Sequence, residues 1–240
     1  LADPFPEEAN RRLIATLARW HFAPSQEAAE ALAREGVPLG QIQVTGNTVI
    51  DACLAVAGRA QVPPELELPA GPLVLVTLHR REIVQAPEVL GRVLGAIANI
   101  ARRHPELGFA FPAHPGVAAA AAQALGGLPN LRILPPQPYP VFLALLREAR
   151  LAISDSGGVQ EEGPALGTPV AVVRAETERP EAIAAGGVVL TTLEPDAIEA
   201  AVEGLLRSPG LGAPRFPYGR GGASSQIAAT LGRALLSRPQ

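Results

Sequence analysis

The chain contains no methionine and no lysine in 240 residues, and its one cysteine is Cys53. A single cysteine excludes an internal disulfide, and with no signal peptide in view the expected compartment is a reducing cytoplasm. Cys53 sits in an apolar, helix-like stretch and is expected to pack as a small hydrophobe. All 20 basic residues are arginine; 23 acidic residues outnumber them and leave a net charge of −3. That balance excludes the basic stripe expected of a nucleic-acid-binding domain. No apolar run approaches the roughly 20 residues that span a bilayer, so no membrane role is expected. The sequence opens Leu1-Ala2-Asp3, which is not expected to be a translation start, and further residues are expected upstream.

What is present is an apolar content of 48%, enough for a packed core in one large or two modest domains. Short apolar runs alternate with longer helix-patterned segments. The runs predict strands over 21–24, 42–45, 73–78, 109–112, 131–134, 151–154, 170–173 and 188–191. Helices are predicted over 7–19, 26–35, 47–57, 87–103, 116–125, 139–149, 158–166, 178–184, 195–207 and 223–237. Continuous apolar strands separated by helices argue for an α/β fold, a parallel sheet covered on both faces. Ligands of such sheets bind outside the carboxyl ends of the strands. Residues 1–45 hold too few elements for a core of their own and read as the tail of a first domain. Residues 46–222 read as one complete domain, followed by a terminal helix over 223–240.

The most informative run is Ser154-Asp155-Ser156-Gly157-Gly158-Val159-Gln160-Glu161-Glu162. It joins the strand at 151–154 to a helix through a Ser/Gly turn. Main-chain N–H groups at such a helix start, together with the positive end of the helix dipole, suit a phosphate. Glu162 follows the glycines by about one helical turn, where it can accept hydrogen bonds from a sugar hydroxyl. The pattern points to a sugar nucleotide.

Other segments share that strand edge. His79-Arg80-Arg81-Glu82 follows the strand at 73–78 and suits a pyrophosphate; a solvated charged loop is the alternative. His114 ends the next strand, as a ligand contact or as a structural histidine. His79 and His114 form no metal set, because no cysteine or carboxylate completes a ligand spacing. Arg179, just inside a helix start, opposes the helix dipole, which suggests either an anionic ligand or pairing with Glu176 or Glu181. Pro135-Pro136-Gln137-Pro138-Tyr139-Pro140-Val141-Phe142 is a stiff loop able to hold a flat base, or a plain connection. The acidic start of Phe5-Pro6-Glu7-Glu8-Ala9-Asn10-Arg11 is accounted for by the dipole alone.

In order, these segments resemble the non-hydrolysing UDP-N-acetylglucosamine 2-epimerases. The resemblance runs through Phe5–Arg11, His21-Phe22-Ala23-Pro24, Val44–Asp51, His79–Glu82, Ser154–Glu162 and Thr177-Glu178-Arg179-Pro180-Glu181-Ala182. It implies a glycosyltransferase-B-type architecture, two Rossmann-like domains flanking a cleft, with the second complete and the first truncated. The implied reaction interconverts UDP-N-acetylglucosamine and UDP-N-acetylmannosamine by C2 epimerisation, through elimination and re-addition of UDP, with no cofactor and no metal. Glu7 and His79 match catalytic residues of the family. Ser156, Gly157, Gly158 and Glu162 match phosphate and ribose contacts, Arg179 a further contact to the nucleotide or its sugar, and Gln137 and Phe142 the uracil site. Arg80 and His114 match the site of an allosteric second UDP-N-acetylglucosamine. The resemblance also implies a homodimer serving surface-polysaccharide synthesis. Ile83 stands where the family usually has Asn after His-Arg-Arg-Glu. The family's Gly-Thr-Arg-Pro-Glu, Gly-Asp-Thr and Glu-Ala-Gly-Leu-Arg segments, which carry another catalytic Asp and Glu, are absent here. This chain alone is therefore expected to be inactive, or to lack upstream residues. A UDP-sugar glycosyltransferase, a hydrolysing epimerase and an inactive UDP-sugar-binding fragment remain the alternatives.

Overall fold

A computed structural model describes residues 6–236. Phe5 of the first motif and the expected helical residue Ser237 lie outside the described residues. Contacts divide the chain into two compact units: described residues up to Asp51 together with those from Tyr218 onward, and Ala52–Pro217.

The first unit contains α1 (Glu7–Leu17), β1 (His21–Ala23), α2 (Gln26–Arg34), β2 (Ile42–Val44), the start of α3 (Thr48–Ala57) and, from the far end of the chain, α11 (Ala223–Leu236). β1 and β2 pair in parallel, His21 opposite Ile42. Ser25 caps α2, its Oγ accepting from the Ala28 N–H at 3.0 Å. The terminal helix groups with these elements rather than standing apart, because its polar contacts lie there. Asp51 accepts from the N–H groups of Ala223 and Ser224 at 3.2 and 2.6 Å and so caps α11. These donors, Ser224 foremost, hold the Asp51 carboxyl below its ordinary range. Thr230 Oγ1 donates to Gln43 Oε1 at 2.9 Å. Gly46 has φ +84°, and a Cβ there would stand 2.9 Å from the Tyr218 carbonyl oxygen, so this close approach admits only glycine.

The second unit is built on a six-stranded, wholly parallel sheet. Its strands are β3 (Leu73–Thr77), β4 (Gly108–Pro112), β5 (Leu131–Leu134), β6 (Ala149–Ser154), β7 (Val170–Val173) and β8 (Val188–Thr191), in the spatial order β5-β4-β3-β6-β7-β8. The chain builds outward from β3 in one direction, then returns and builds outward from β6 in the other. This is the doubly wound, Rossmann-like order, with its switch point between β3 and β6.

Alternation along each strand sorts the two faces. Val74, Val76, Phe109, Phe111, Leu151, Ile153, Ala171 and Val173 share one hydrophobic cluster with Leu90, Val93, Leu94, Ile97 and Ile100 of α5 (Pro87–Arg103) and Ile198 and Val202 of α10 (Pro195–Arg207). Each fully buried Leu, Ile or Val side chain contributes about 1.5–3 kcal/mol by leaving water. The intervening residues Leu75, Ala110, Ala152 and Val172, also wholly buried, point to the other face. There α7 (Tyr139–Glu148) packs against β3 and β6, and α8 (Gly157–Leu166) against β7. Cys53 is completely buried, and desolvation pushes its thiol up to about 12. One α-helix was not anticipated: α4 (Arg81–Val84), a single turn after His79-Arg80, too short to show a hydrophobic period. Among the described residues, no helix is long and apolar enough to cross a membrane.

Candidate functional site

Because β3 and β6 are neighbours in register, Thr77 beside Ser154, the segments that leave them emerge side by side. From β3 come His79 and Arg80; from β6 come Asp155, Ser156 and the glycines. Asp155, which is wholly buried, ties the two together. Its Oδ2 accepts from the main-chain N–H groups of His79 and Arg80, both at 2.8 Å. Its Oδ1 has no hydrogen-bond partner and lies 3.2 Å from Nδ1 of His79, whose side chain is 42% exposed.

Ser156 is the N-cap residue of α8, and no side chain caps the helix. Its own N–H donates to Ser154 Oγ at 3.0 Å, which shapes the turn. The Asp155 carboxylate, the obvious local acceptor, is directed to His79 and Arg80 instead. No side chain thus takes up the first N–H groups of α8, which is the condition a helix start needs to receive an anion.

The segment after β7, which leads into α9 (Pro180–Ala184), closes over this turn. Arg179 Nε donates to Glu161 Oε1 at 2.6 Å, and its Nη1 lies 3.5 Å from Glu178. The pairing weighed for Arg179 from the sequence was with Glu176 or Glu181. The observed partners differ because α8 brings Glu161 up from the neighbouring strand connection. A Cβ on Gly157 would stand 2.8 Å from the Arg179 guanidinium carbon, so the guanidinium rests against the glycine turn. Thr177 Oγ1 donates to Gln160 Oε1 at 2.6 Å and accepts the Arg179 N–H at 3.1 Å, tying this loop to α8. Arg174 holds Glu178 through two hydrogen bonds, 2.8 and 2.9 Å, which brings the Glu178 carboxyl down to about 2. Arg80 Nη1 is 3.6 Å from Glu82 and 4.0 Å from Glu178.

Glu162 is buried, with one oxygen accepting from the Tyr139 hydroxyl at 2.6 Å. Burial raises its pKa, against the lowering effect of that hydrogen bond, and the neighbouring Glu161 charge raises it further. Gln137 and Phe142 are both half-buried, Gln137 in the connection between β5 and α7 and Phe142 in the first turn of α7; Gln137 Nε2 donates to the Pro135 carbonyl at 2.8 Å. His114 is exposed and caps α6 (Pro115–Leu125), its Nδ1 accepting from the Gly116 N–H at 3.1 Å. Glu7, exposed, opens α1 in the first unit.

The carboxyl edge of the sheet therefore brings together His79, Arg80, Ser156, Gly157, Gly158, Glu162 and Arg179. His114 and Gln137 follow β4 and β5 on the same edge. Three contributors escaped the sequence reading: Asp155, Tyr139 and Glu161. Asp155 stood inside the central motif, yet its partners are 76 and 75 residues away, and nothing local signals them. Among the described residues, no cluster of three or more His, Cys, Asp or Glu forms a metal site.

A family model described as UDP-N-acetylglucosamine 2-epimerase matches residues 1–232. The probable UDP-N-acetylglucosamine 2-epimerase of Ralstonia nicotianae is 40% identical over 243 residues, covering 95% of this chain and 64% of that protein. A crystal structure of UDP-GlcNAc 2-epimerase from Neisseria meningitidis bound to UDP-GlcNAc superposes with a TM-score of 0.87 at 36% identity, over 97% of this chain and 66% of that one. The Methanocaldococcus jannaschii UDP-GlcNAc 2-epimerase in complex with UDP-GlcNAc and UDP gives a TM-score of 0.83 at 30% identity, over 95% of this chain and 65% of that one. The chain spans about 64% of the length of the Ralstonia protein.

Proposed function

Because the chain belongs to the UDP-N-acetylglucosamine 2-epimerase family, we propose that it supplies the nucleotide-binding part of an enzyme that interconverts UDP-N-acetylglucosamine and UDP-N-acetylmannosamine. The observation that carries the reading is the uncapped start of α8 with Arg179 against Gly157 and with His79 and Arg80 emerging from the adjacent strand.

In this reading the diphosphate lies at the α8 start, on the N–H groups of Gly157 and Gly158 and the Ser156 hydroxyl, with Arg179 beside it. The free oxygen of Glu162 accepts from the ribose, while Tyr139 holds the other oxygen. Gln137 and Phe142 hold the uracil. A base removes the C2 proton, and the C–H electron pair becomes the C1–C2 double bond as the C1–O pair departs with UDP. The glucal is then protonated at C2 from the opposite face, and UDP adds back at C1. Glu7 is assigned as a proton-transfer residue and His79 as the group that meets the charge developing on UDP. Arg80 and His114 are assigned to a regulatory second UDP-N-acetylglucosamine. The same reading makes the protein a cytoplasmic homodimer that feeds polysaccharide synthesis.

The test is turnover in deuterated water. The reading expects UDP-N-acetylglucosamine and its product to acquire deuterium at C2, detected by proton NMR. Turnover with the C2 proton retained, or irreversible release of free UDP with a sugar, overturns it.

A further inference from the structure

Resting on that reading, we infer that Asp155 is a positioning residue for His79: its buried carboxylate holds the imidazole by Nδ1, so that Nε2 is the nitrogen offered to the leaving diphosphate. Asp155 is 0% exposed, and its carboxylate is divided between two tasks. Oδ2 takes the main-chain N–H groups of His79 and Arg80, each at 2.8 Å, which fixes the backbone just beyond β3. Oδ1 has no hydrogen-bond partner, although a buried carboxylate oxygen left without one is strongly disfavoured.

The donor that completes it is within reach. His79 Nδ1 lies 3.2 Å from Oδ1, and a modest turn of the ring aligns an Nδ1–H with it. Arg174 also senses the Asp155 charge, but its side chain is 11% exposed and its two terminal nitrogens are engaged with Glu178 at 2.8 and 2.9 Å. With an Nδ1–H committed to Asp155, Nε2 is the ring nitrogen left to face outward. The His79 side chain is 42% exposed, which leaves its outer edge available to a ligand. The same carboxylate therefore sets where the ring stands, through the backbone, and which nitrogen faces outward, through Nδ1.

Replacing the carboxylate by an amide separates these two tasks. Asp155→Asn keeps an oxygen for the main-chain donors but presents an NH2 group to Nδ1, which must then accept, and the neutral ring switches to the Nε2–H tautomer. The measurement is ring nitrogen NMR on the histidine-labelled protein. The chain has 4 histidines, and the His79 signal is identified by its loss in His79→Asn. The wild-type ring is expected to carry its proton on Nδ1, and the Asp155→Asn ring on Nε2. In turnover, Asp155→Asn is expected to lower kcat about 100-fold with a much smaller change in KM. In a His79→Asn background the same exchange is expected to change kcat less than twofold.

A neutral wild-type ring protonated on Nε2 overturns the inference, whether or not Asp155→Asn folds. An equal loss from Asp155→Asn with and without His79 also overturns it, because Asp155 then only builds the turn. Failure of the wild type to epimerise UDP-N-acetylglucosamine counts against the functional reading alone, since the tautomer measurement is independent of turnover.

Discussion

Gly157 has no room for a methyl group without moving a cation. The position of its absent Cβ is 2.8 Å from the Arg179 guanidinium, which Glu161 holds at 2.6 Å. Gly157→Ala is expected to push that guanidinium off the turn and weaken UDP binding about tenfold, the scale of one charge-assisted hydrogen bond, as measured by calorimetry. The exchange should cost little stability, because the displaced group is the end of a flexible side chain. Glu162 makes the opposite case, a residue whose proposed ligand role opposes stability. Burial raises its pKa. A raised carboxyl contributes full stability below the unfolded value, and that contribution is lost as pH climbs through the folded value. Glu162→Gln cannot ionise and still accepts from Tyr139. Its melting temperature is expected to exceed that of the wild type at pH 7, with the difference closing toward about pH 4.3, while UDP affinity falls. A lower melting temperature at pH 7 would refute this account.

Among the elements, α5 and α10 are held together by more than the apolar stripe they share. His104, at the end of α5, has Nε2 3.0 Å from Glu203 of α10 and Nδ1 3.0 Å from Glu106. Two carboxylates on two ring nitrogens require the imidazolium, since a neutral ring has one donor only. The hydrogen bond to Glu203 raises the His104 pKa most, with a smaller contribution from Glu106. The contribution of this contact is therefore complete below about pH 6.5 and is lost as pH rises through the raised folded value. Urea midpoints of the wild type are expected to fall as pH rises from about 6 to 9, and His104→Gln should flatten that fall. Parallel curves for the two proteins would show that the contact adds nothing. Asn130 supports the same helix end, its Nδ2 reaching the carbonyls of Ala101, His104 and Leu107 at 3.0–3.1 Å.

For the whole molecule, the consequence of the switch point is that ligand protection should follow topology rather than sequence proximity. The end of β3, the turn after β6 and the loop after β7 are spread over residues 77–179, yet all leave one edge of one sheet. Amide exchange with saturating UDP should slow at 77–80, 155–159 and 174–179 together. At UDP about 100-fold above its Kd, global opening should become about 2.7 kcal/mol harder. Protection confined to one of these three segments would contradict a shared site.

Every strand of the sheet was readable in advance, because continuous apolar runs such as Leu73–Thr77 and Val170–Val173 occur where a strand buried on both faces must be apolar throughout. The Ser/Gly turn before α8 was readable for a similar reason: its chemistry is local, carried by main-chain N–H groups and a helix start. α4 was not, since four residues are too few to display a helical period. Nor was the grouping of α11 with the first unit, which depends on Asp51 capping a helix 172 residues further on. The partner of Arg179 was decided the same way: the nearby Glu176 and Glu181 were the candidates in sequence, and Glu161 was the one the fold delivered. Sequence by itself determined the elements and the Ser/Gly turn proposed to hold phosphate, whose causes act within a few residues. Tertiary structure alone decided which side chains meet there, above all Asp155 with His79, because those contacts exist only once β3 and β6 are paired.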